Sequence, residues 1–284
     1  MKIKLITDSA CSVPKDIAEK YDIEIVPLGI VFGSEEFKDG VTITTDEFFE
    51  RQVSGENYPT TSQVNQYEWQ DCFNKFLGEY DHLVVMTMSS VMSGTHQSAV
   101  NAIKELGADN IHLFDTESVS VPCGLCVYAV AQFMQTCDDI EEIKKVAQNY
   151  INRVDVYATF ESLKYLKAGG RLSTVSAIIG TMLKVKIILS TKDKVVTGVE
   201  KVISSKKAMR RIKEIVEKYH DPSMPMIFAK GTNHEEVVAV MNDYQQSFDL
   251  KEALLASIGC TVGTHTGPGS FGVAFFRKEE FRNV

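Results

Sequence analysis

The chain has 284 residues, of which 44% are hydrophobic, and 30 Lys and Arg against 38 Asp and Glu give it a formal net charge of −8. A chain of this length can bury two separate cores, so we expect two domains. The acidic balance argues against nucleic acid as a partner, and no apolar run approaches the roughly 18 residues needed to cross a bilayer. The apolar stretch of the N-terminus, MKIKLITDSA, is too short for a signal peptide, so we expect a cytoplasmic protein.

The first half of the chain alternates apolar runs with helical patterns, which predicts a parallel sheet with helices on both faces. Ser12 is the expected N-cap of the first helix, with Pro14 in its first turn, and Gly107 is expected to end a later helix. The predicted elements in chain order are strand KIKLITD, helix VPKDIAEKY, strand IEIVPLGIVF, turn region GSEEFKDG, helix TTDEFFERQ, loop ENYPTTSQ, a helix around YEWQDCFNKFLGEY, strand HLVVMTMSS, helix SGTHQSAVNAIKELG, strand NIHLFDT and two helices from Val121 to about Arg153.

The second half has a different pattern, in which a predicted hairpin, KVKIILSTKDKVVTGVEKV, stands beside further strands and helices. Before it, SLKYLKAGGRLSTVSAIIGTML predicts two helical pieces broken at Gly169 and Gly170. The other predicted elements are strand DVYATF, helix 205–219, strand MPMIFAKG, helix 233–247, strand EALLASIG, a glycine-rich loop and strand GVAFFRK. We therefore predict an α/β protein of two domains, residues 1–155 with a parallel sheet and residues 156–284 with a mixed sheet.

The six cysteines are scattered and lack the paired spacings of a zinc site, so we expect reduced thiols and no bound metal. Cys123 and Cys126 have C-x-x-C spacing near a helix start, where a thiolate would be stabilised. The helix that follows is apolar nearly all round, which favours burial of both thiols over redox chemistry.

Positive charge is concentrated between Lys164 and Lys213, where thirteen Lys and Arg accompany two acidic residues. Such a segment is either a solvated basic face or a docking surface for an acidic protein or an anionic membrane. The sequence leaves both interpretations open.

Two polar stretches are candidates for ligand contact. In an open parallel sheet, ligands bind beyond the carboxyl ends of the strands, where helix N-termini present free backbone N–H groups. MTMSSVMSGTHQS fits this position, with Ser93 and Gly94 opening a helix, although capping alone explains a serine there. YPTTSQ offers Thr60, Thr61 and Ser62, which either face a crevice or bond their own backbone.

A third stretch, GTHTGPGSFG, runs from Gly263 to Gly272 and contains four glycines. Glycine is tolerated at this density where the backbone needs unusual dihedrals or approaches something closely. His265 stands among the glycines, so we expect its ring to be aimed, either as a donor to an anion or as a base. A triad of Ser93, His265 and Asp115 can also be written for acyl transfer or ester hydrolysis. Walker, dinucleotide-binding, G-x-S-x-G and metal-site motifs are missing from the sequence.

Five blocks of the sequence together resemble the DegV family of bacterial fatty-acid-binding proteins. They are LITDSAC at the N-terminus, PTTSQ at 59–63, SSVMSGTHQSA at 89–99, LKYLKAGGRLS at 163–173 and GCTVGTHTGPGSFGVAF at 259–275. The blocks fall in the family's order and cover the whole chain. The resemblance implies a two-domain α/β carrier, not an enzyme, that holds one long-chain fatty acid in a buried tunnel between its domains. It implies no other cofactor. Some members of the family present the carboxylate to a separate fatty-acid kinase, so we expect such a partner here.

The resemblance also implies the residues that bind the carboxylate. The family's threonine falls on Thr61, its serine on Ser93 with the amide of Gly94, and its histidine on His265. The additional candidates within these blocks are Ser62, Thr264, Thr266 and Arg171, the last at a basic position of the domain junction.

Two positions depart from the family's pattern, which often has Tyr where this chain has His96 and Arg where it has Ile203. The first lies within a helix, so we expect His96 to be a bystander. The second weakens a kinase-facing role for its segment, although Lys206, Lys207 and Arg210 could supply the positive surface.

Three hypotheses follow from these observations. We favour the carrier over an acyl transferase or esterase with Ser93 as nucleophile and His265 as base. The reasons are that the sequence resembles the family and that it lacks a nucleophile-elbow motif. A third interpretation takes the basic segment as a transient contact with an anionic membrane.

Overall fold

A computed structural model describes residues 1–55, 58–160, 162–171, 186–192 and 195–281 of the chain. These residues form an α/β fold with a parallel sheet in the first half and a mixed sheet in the second, as the sequence predicted. The elements of the first half are β1 Ile3–Asp8, α1 Lys15–Lys20, β2 Glu24–Val26, β3 Gly29–Phe32, β4 Glu35–Lys38, α2 Thr45–Ser54, β5 Thr60–Ser62, α3 Gln66–Phe76, β6 His82–Thr87, α4 Thr95–Leu106, β7 Ile111–Asp115, α5 Val121–Met134 and α6 Ile140–Arg153. Those of the second half are β8 Val154–Thr159, α7 Lys164–Ala168, β9 Lys186–Lys192, β10 Val195–Val202, α8 Ser205–Tyr219, β11 Met226–Lys230, α9 His234–Ser247, β12 Ala253–Ser257, α10 Cys260–Thr266 and β13 Phe271–Phe276.

The first sheet has four parallel strands in the order β2-β1-β6-β7. The strands β1 and β6 lie at its centre, in a register that sets Leu5 opposite Val84, and both are almost entirely buried. A strand covered on both faces reads as a continuous apolar run, which is why these two were visible in the sequence.

The second sheet has six strands in the order β10-β9-β8-β13-β11-β12. The hairpin of β9 and β10 is antiparallel, as predicted, whereas β11 and β12 are parallel and joined through α9. The predicted helical piece beyond Gly170 falls on residues 172–183, which lie outside the described residues. The strand β8 begins at Val154 and already belongs to this sheet, and a domain boundary near residue 155 stays a prediction.

The helix α5 joins the two halves, because it is buried on every side from Val121 to Ala131. One hydrophobic core runs through it, from Leu5 and Val84 of the first sheet to Ile227 and Phe276 of the second. Cys123 and Cys126 lie inside this helix as buried free thiols, so the prediction of packing is confirmed.

A third sheet was not predicted. The segment IEIVPLGIVF forms two strands rather than one, and β3 pairs with β4 and β5 in a separate antiparallel sheet of three strands. The expected turn region therefore contains β4, and the expected loop PTTSQ contains β5. These strands have three or four residues each, too few for a periodic pattern to appear in the sequence.

Two local predictions about helix ends were wrong. Ser12 does not cap α1, which starts after Pro14; instead Ser12 ends a 3₁₀ turn in a left-handed conformation, with φ of 51°. The glycine-rich stretch was expected to be a loop, but its first four residues complete α10. Asp39 explains the helix, because its carboxylate accepts hydrogen bonds from the backbone N–H groups of Cys260 and Thr261, at 3.0 Å each, and so caps the N-terminus of α10.

Candidate functional site

A cavity of about 400 Å³ lies between the carboxyl end of the first sheet and one face of the second. This volume falls within the range of small-molecule sites. Most of the wall is apolar, and its members come from both halves of the chain, among them Met88, Val121, Val156, Leu189, Ile258 and Phe271. The polar groups of the wall include four of the predicted site residues, Thr61, Ser93, Gly94 and His265.

Thr61 and His265 are in contact on the cavity wall, with 3.2 Å between Thr61 Oγ1 and His265 Nε2. Thr61 is held by β5, which pairs with β3 so that Thr61 lies opposite Ile30. His265 is held by α10, which packs closely on α2: a Cβ added at Gly263 would lie 2.9 Å from the rings of Phe48 and Phe49. Glycine at position 263 therefore lets α10, which carries His265, approach α2 closely.

The other ring nitrogen of His265, Nδ1, is buried and has no hydrogen-bond partner among the described residues. A Cβ at Gly169 would lie 2.1 Å from it, so the backbone of the Gly-Gly-Arg segment fixes the ring from that side. Burial, and secondarily the charge of Arg171, lowers the pKa of His265 to about 4. The ring is therefore neutral near pH 7 and offers one N–H.

Ser93 and Gly94 stand at the start of α4, where Gly94 is the N-cap. The Ser93 hydroxyl accepts from the backbone N–H of Thr95 at 3.2 Å and lies 2.9 Å from Thr95 Oγ1. A Cβ at Gly94 would lie 2.0 Å from Gln63 Oε1, so glycine allows the helix start to meet the segment that follows Thr61. Both Ser93 and Gly94 consequently face the same cavity as Thr61.

The additional candidates divide into two groups. Ser62, Thr266 and Arg171 line the cavity, and Ser62 and Arg171 are also exposed, so they stand at its opening. Thr264 does not line it: its hydroxyl is buried and donates to the carbonyl of Cys260 at 3.0 Å. Helix formation turns this side chain back onto its own preceding turn.

The hypothetical triad is not assembled. His265 Nε2 lies against Thr61 and its Nδ1 has no partner within the described ranges, so Asp115 does not orient the ring. Asp115 instead accepts from the hydroxyl of Ser90 at 2.6 Å. His96 lies 2.8 Å from Thr87 Oγ1 and is not part of the cavity wall.

Sequence reasoning missed Asp39, Gln63 and Gly169, which position the site. Asp39 caps α10, Gln63 packs on Gly94 and Gly169 packs on His265. Gln63 and Gly169 stand in the PTTSQ and LKYLKAGGRLS blocks, but each of the three residues acts through a neighbour that is distant along the chain, so the sequence does not show these contacts.

The basic candidates Lys206, Lys207 and Arg210 lie on α8, exposed to solvent. Together with Tyr244 of α9 they line a groove separate from the cavity. Ile203, just before this helix, is 77% exposed.

Within the described ranges, no helix combines the length and the apolar character that a bilayer crossing requires. The same residues contain no cluster of three or more His, Cys, Asp or Glu that could hold a metal ion.

Comparison with known proteins gives consistent matches. The model of the family described as "Uncharacterised protein, DegV family" matches residues 2–278. A DegV domain-containing protein of Clostridium perfringens is 32% identical over 280 residues, which is 99% of each chain. Among solved structures, a fatty acid binding DegV family protein from Thermus thermophilus has a TM-score of 0.90 at 26% identity, covering 98% of this chain and 100% of that one.

Two further structures agree with these. DegV of Bacillus subtilis, described as a fatty acid binding protein, has a TM-score of 0.89 at 30% identity, covering 98% of this chain and 100% of its own. A stearic acid-binding protein from Eubacterium ventriosum has a TM-score of 0.85 at 25% identity, covering 98% and 99%. Since the family model spans nearly all of the chain and relatives align end to end, this chain belongs to the DegV family.

Proposed function

We propose that the protein binds one long-chain fatty acid in the cavity, with its carboxylate at Thr61, Ser93, Gly94 and His265. The observation that carries this proposal is the composition of the cavity wall, which is apolar over most of its extent and carries polar groups from β5, from the start of α4 and from α10, with Thr61 and His265 in contact. Ser120, Ser190 and Thr191 are further polar members of the wall. A wall of this kind matches a ligand with one polar end and a long apolar tail. Solved relatives are described as fatty acid binding proteins, one of them as binding stearic acid.

The chemistry of the polar end suits a carboxylate. Hydroxyl and backbone N–H donors form charge-assisted hydrogen bonds that offset its desolvation, and the start of α4 adds the favourable end of a helix dipole. The tail contributes roughly 0.8 kcal/mol for each buried CH₂, so a chain of about sixteen carbons gains enough to offset the cost of ordering it. No other cofactor is needed in this proposal.

The same geometry supports a carrier rather than an esterase. The Ser93 hydroxyl is engaged with Thr95 rather than with a base. His265, with a pKa lowered to about 4, is a poor proton acceptor from serine near neutral pH.

We further propose that the protein, working in the cytoplasm, presents the carboxylate to a fatty-acid kinase. Ser62 and Arg171 stand at the opening of the cavity, so the polar end of the ligand would lie close to a docked partner. The exposed Lys206, Lys207 and Arg210 offer a basic surface for an acidic partner, or for a transient contact with an anionic membrane.

Mass spectrometry of the denatured protein, followed by binding of added fatty acid to the delipidated protein, tests the carrier. We expect one acyl chain per protein, and Thr61→Val combined with Ser93→Ala should weaken binding at least tenfold. Ser90→Ala is the matched control, because Ser90 bonds Asp115 outside the cavity. Failure to bind any fatty acid, or turnover of model esters that is lost on Ser93→Ala, would refute the carrier.

Kinase presentation has its own test. Acyl-phosphate formation with a fatty-acid kinase and ATP should fall when Lys206, Lys207 and Arg210 are replaced by alanine, while fatty-acid affinity stays unchanged. The exposed Lys15→Ala on α1 serves as control. Sedimentation with anionic and neutral vesicles, at low and high salt, separates a membrane role from a kinase role.

A further inference from the structure

Gly272 of β13 stands on the cavity wall between two alanines of the neighbouring strands. It pairs directly with Ala158 of β8 and with Ala229 of β11, and all three residues line the cavity. Val156 of β8 lines it too, whereas Tyr157, between Val156 and Ala158, belongs to a core on the other face of the sheet. Since directly paired residues share a face of a sheet, a side chain at position 272 would point toward the cavity.

The fold does not require glycine at position 272. The φ angle of Gly272 is negative, as in an ordinary strand. A Cβ added there would lie 3.4 Å from the Cβ of Ala158 and 3.7 Å from that of Ala229, close to the roughly 3.5–4.0 Å of ordinary carbon contact. At Gly169 and Gly263, by contrast, an added Cβ would lie less than 3.0 Å from a neighbouring side chain. A methyl group at position 272 therefore fits the fold.

A glycine in the interior of a strand is nevertheless costly. It gives up side-chain packing and loses more conformational freedom on folding than alanine does. Such a glycine often marks a place where a ligand or another backbone comes close. The three heavy atoms nearest to an added Cβ all belong to the two strands paired with β13, so a backbone packed on this face does not explain Gly272. That leaves the ligand of the cavity as the group that comes close.

The wall at this point suits the tail of the ligand rather than its carboxylate. The residues that β8, β11 and β13 contribute to the wall carry no polar side chain: they are Val156, Ala158, Ala229, Phe271 and Gly272. Ala158 is only partly buried although β8 is an inner strand, so the cavity reaches the sheet here. The groups assigned to the carboxylate come from β5, from the start of α4 and from α10.

We propose that Gly272 is a specificity-determining residue of the fatty-acid site, because it leaves the width that the acyl chain needs to pass along the second sheet. A larger side chain at this position would stop the tail there and shorten the longest acid that the cavity takes. The inference rests on the proposed function, since it takes the ligand to be a fatty acid. Gly272 thus favours long-chain acids over short ones.

The test measures the affinities of octanoate and hexadecanoate for the delipidated protein by titration calorimetry. Each buried CH₂ contributes about fourfold in affinity, so the wild-type protein should strongly prefer hexadecanoate. Gly272→Val should lower the ratio of the two affinities by about tenfold or more, because the longer acid has more carbon atoms beyond position 272 to lose. An unchanged ratio, with both acids weakened equally or not at all, overturns this inference alone. Binding of neither acid to the wild-type protein overturns the proposed function with it.

Gly272→Ala separates a role in ligand binding from a role in the fold. Because the methyl group fits, the Tm of the delipidated variant should rise by about 2 °C, while the ratio falls in the same direction as in Gly272→Val. A lower Tm would show that the fold needs the glycine and would also overturn the inference.

Ala274→Val is the matched control. Ala274 lies two positions further along β13 on the same face, in the core rather than on the cavity wall. This variant should lower the Tm by overpacking and leave the ratio unchanged. A ratio that falls as far in Ala274→Val as in Gly272→Val contradicts the role assigned to Gly272.

Discussion

The contact between Gly169 and His265 allows a clean test of how the ring is held. An alanine at position 169 would place its Cβ 2.1 Å from His265 Nδ1 and 2.7 Å from Cε1, both well inside the roughly 3.5 Å of ordinary van der Waals separation. The backbone at Gly169 has φ of −74°, which any residue adopts, so the substitution adds no backbone strain. The ring must therefore move away, and its 3.2 Å contact with Thr61 Oγ1 must lengthen or break.

We expect Gly169→Ala to raise the Kd for fatty acid about tenfold, because one hydrogen bond in a network around a charged group is lost. Titration of the delipidated protein with a fluorescent fatty acid at pH 7 measures the change. Gly170→Ala is the matched control: φ is +70°, so the substitution strains the backbone, and an added Cβ has no described atom within 4 Å beyond its chain neighbours, so it does not press on His265. It should lower the free energy of unfolding by about 1 kcal/mol and leave the Kd unchanged. Wild-type affinity in Gly169→Ala, or an equal loss in both variants, would refute this account of the ring.

Three further predictions concern pH and packing. Burial lowers the pKa of His265 to about 4, so the unfolded chain binds more protons at this residue between pH 4 and 6.5. The free energy of unfolding therefore rises with pH in this range, by at most about 3 kcal/mol, and urea titrations should show that His265→Gln removes the rise. Burial raises the pKa of Asp8 to about 7, so the folded state binds more protons than the unfolded chain and stability falls as pH rises toward 7. Asp8→Asn should remove this fall. An unchanged pH dependence in His265→Gln or Asp8→Asn would contradict the shifted pKa of that residue. Gly263→Ala should cost about 1–3 kcal/mol of stability by overpacking against Phe48 and Phe49, which thermal unfolding measures, and an unchanged Tm would mean that the rings yield.

The parallel sheet could be predicted from the sequence because its central strands are buried on both faces and therefore appear as apolar runs, as in β1 and β6. The three-stranded sheet could not. Its strand β4, Glu35–Lys38, is mostly polar. Its strand β5 is defined by pairing with β3, from which the helix α2 separates it along the chain. Pairing between distant short segments leaves no periodicity to detect.

The candidate site, like the fold, could be predicted only in part. An aimed ring at His265 was inferred from the glycines around it, whereas the glycine in contact with the ring is Gly169, from outside that stretch. The helix α10 was missed because its cap is the side chain of Asp39, 221 residues away from Cys260. Thr264 is not part of the cavity wall although it precedes His265 in sequence, because neighbouring residues of a helix point in different directions.

The contact of Thr61 with His265 spans 204 residues of chain. During synthesis, α10 emerges long after β5, so the polar end of the cavity is incomplete until the segment from Cys260 to Thr266 has been made and has docked. A ligand that binds only the finished fold stabilises that fold by mass action, to a degree set by its concentration relative to Kd. If the ligand is the fatty acid proposed above, lipid supply would in this way affect how long newly made protein survives proteolysis, as well as how much of it is loaded.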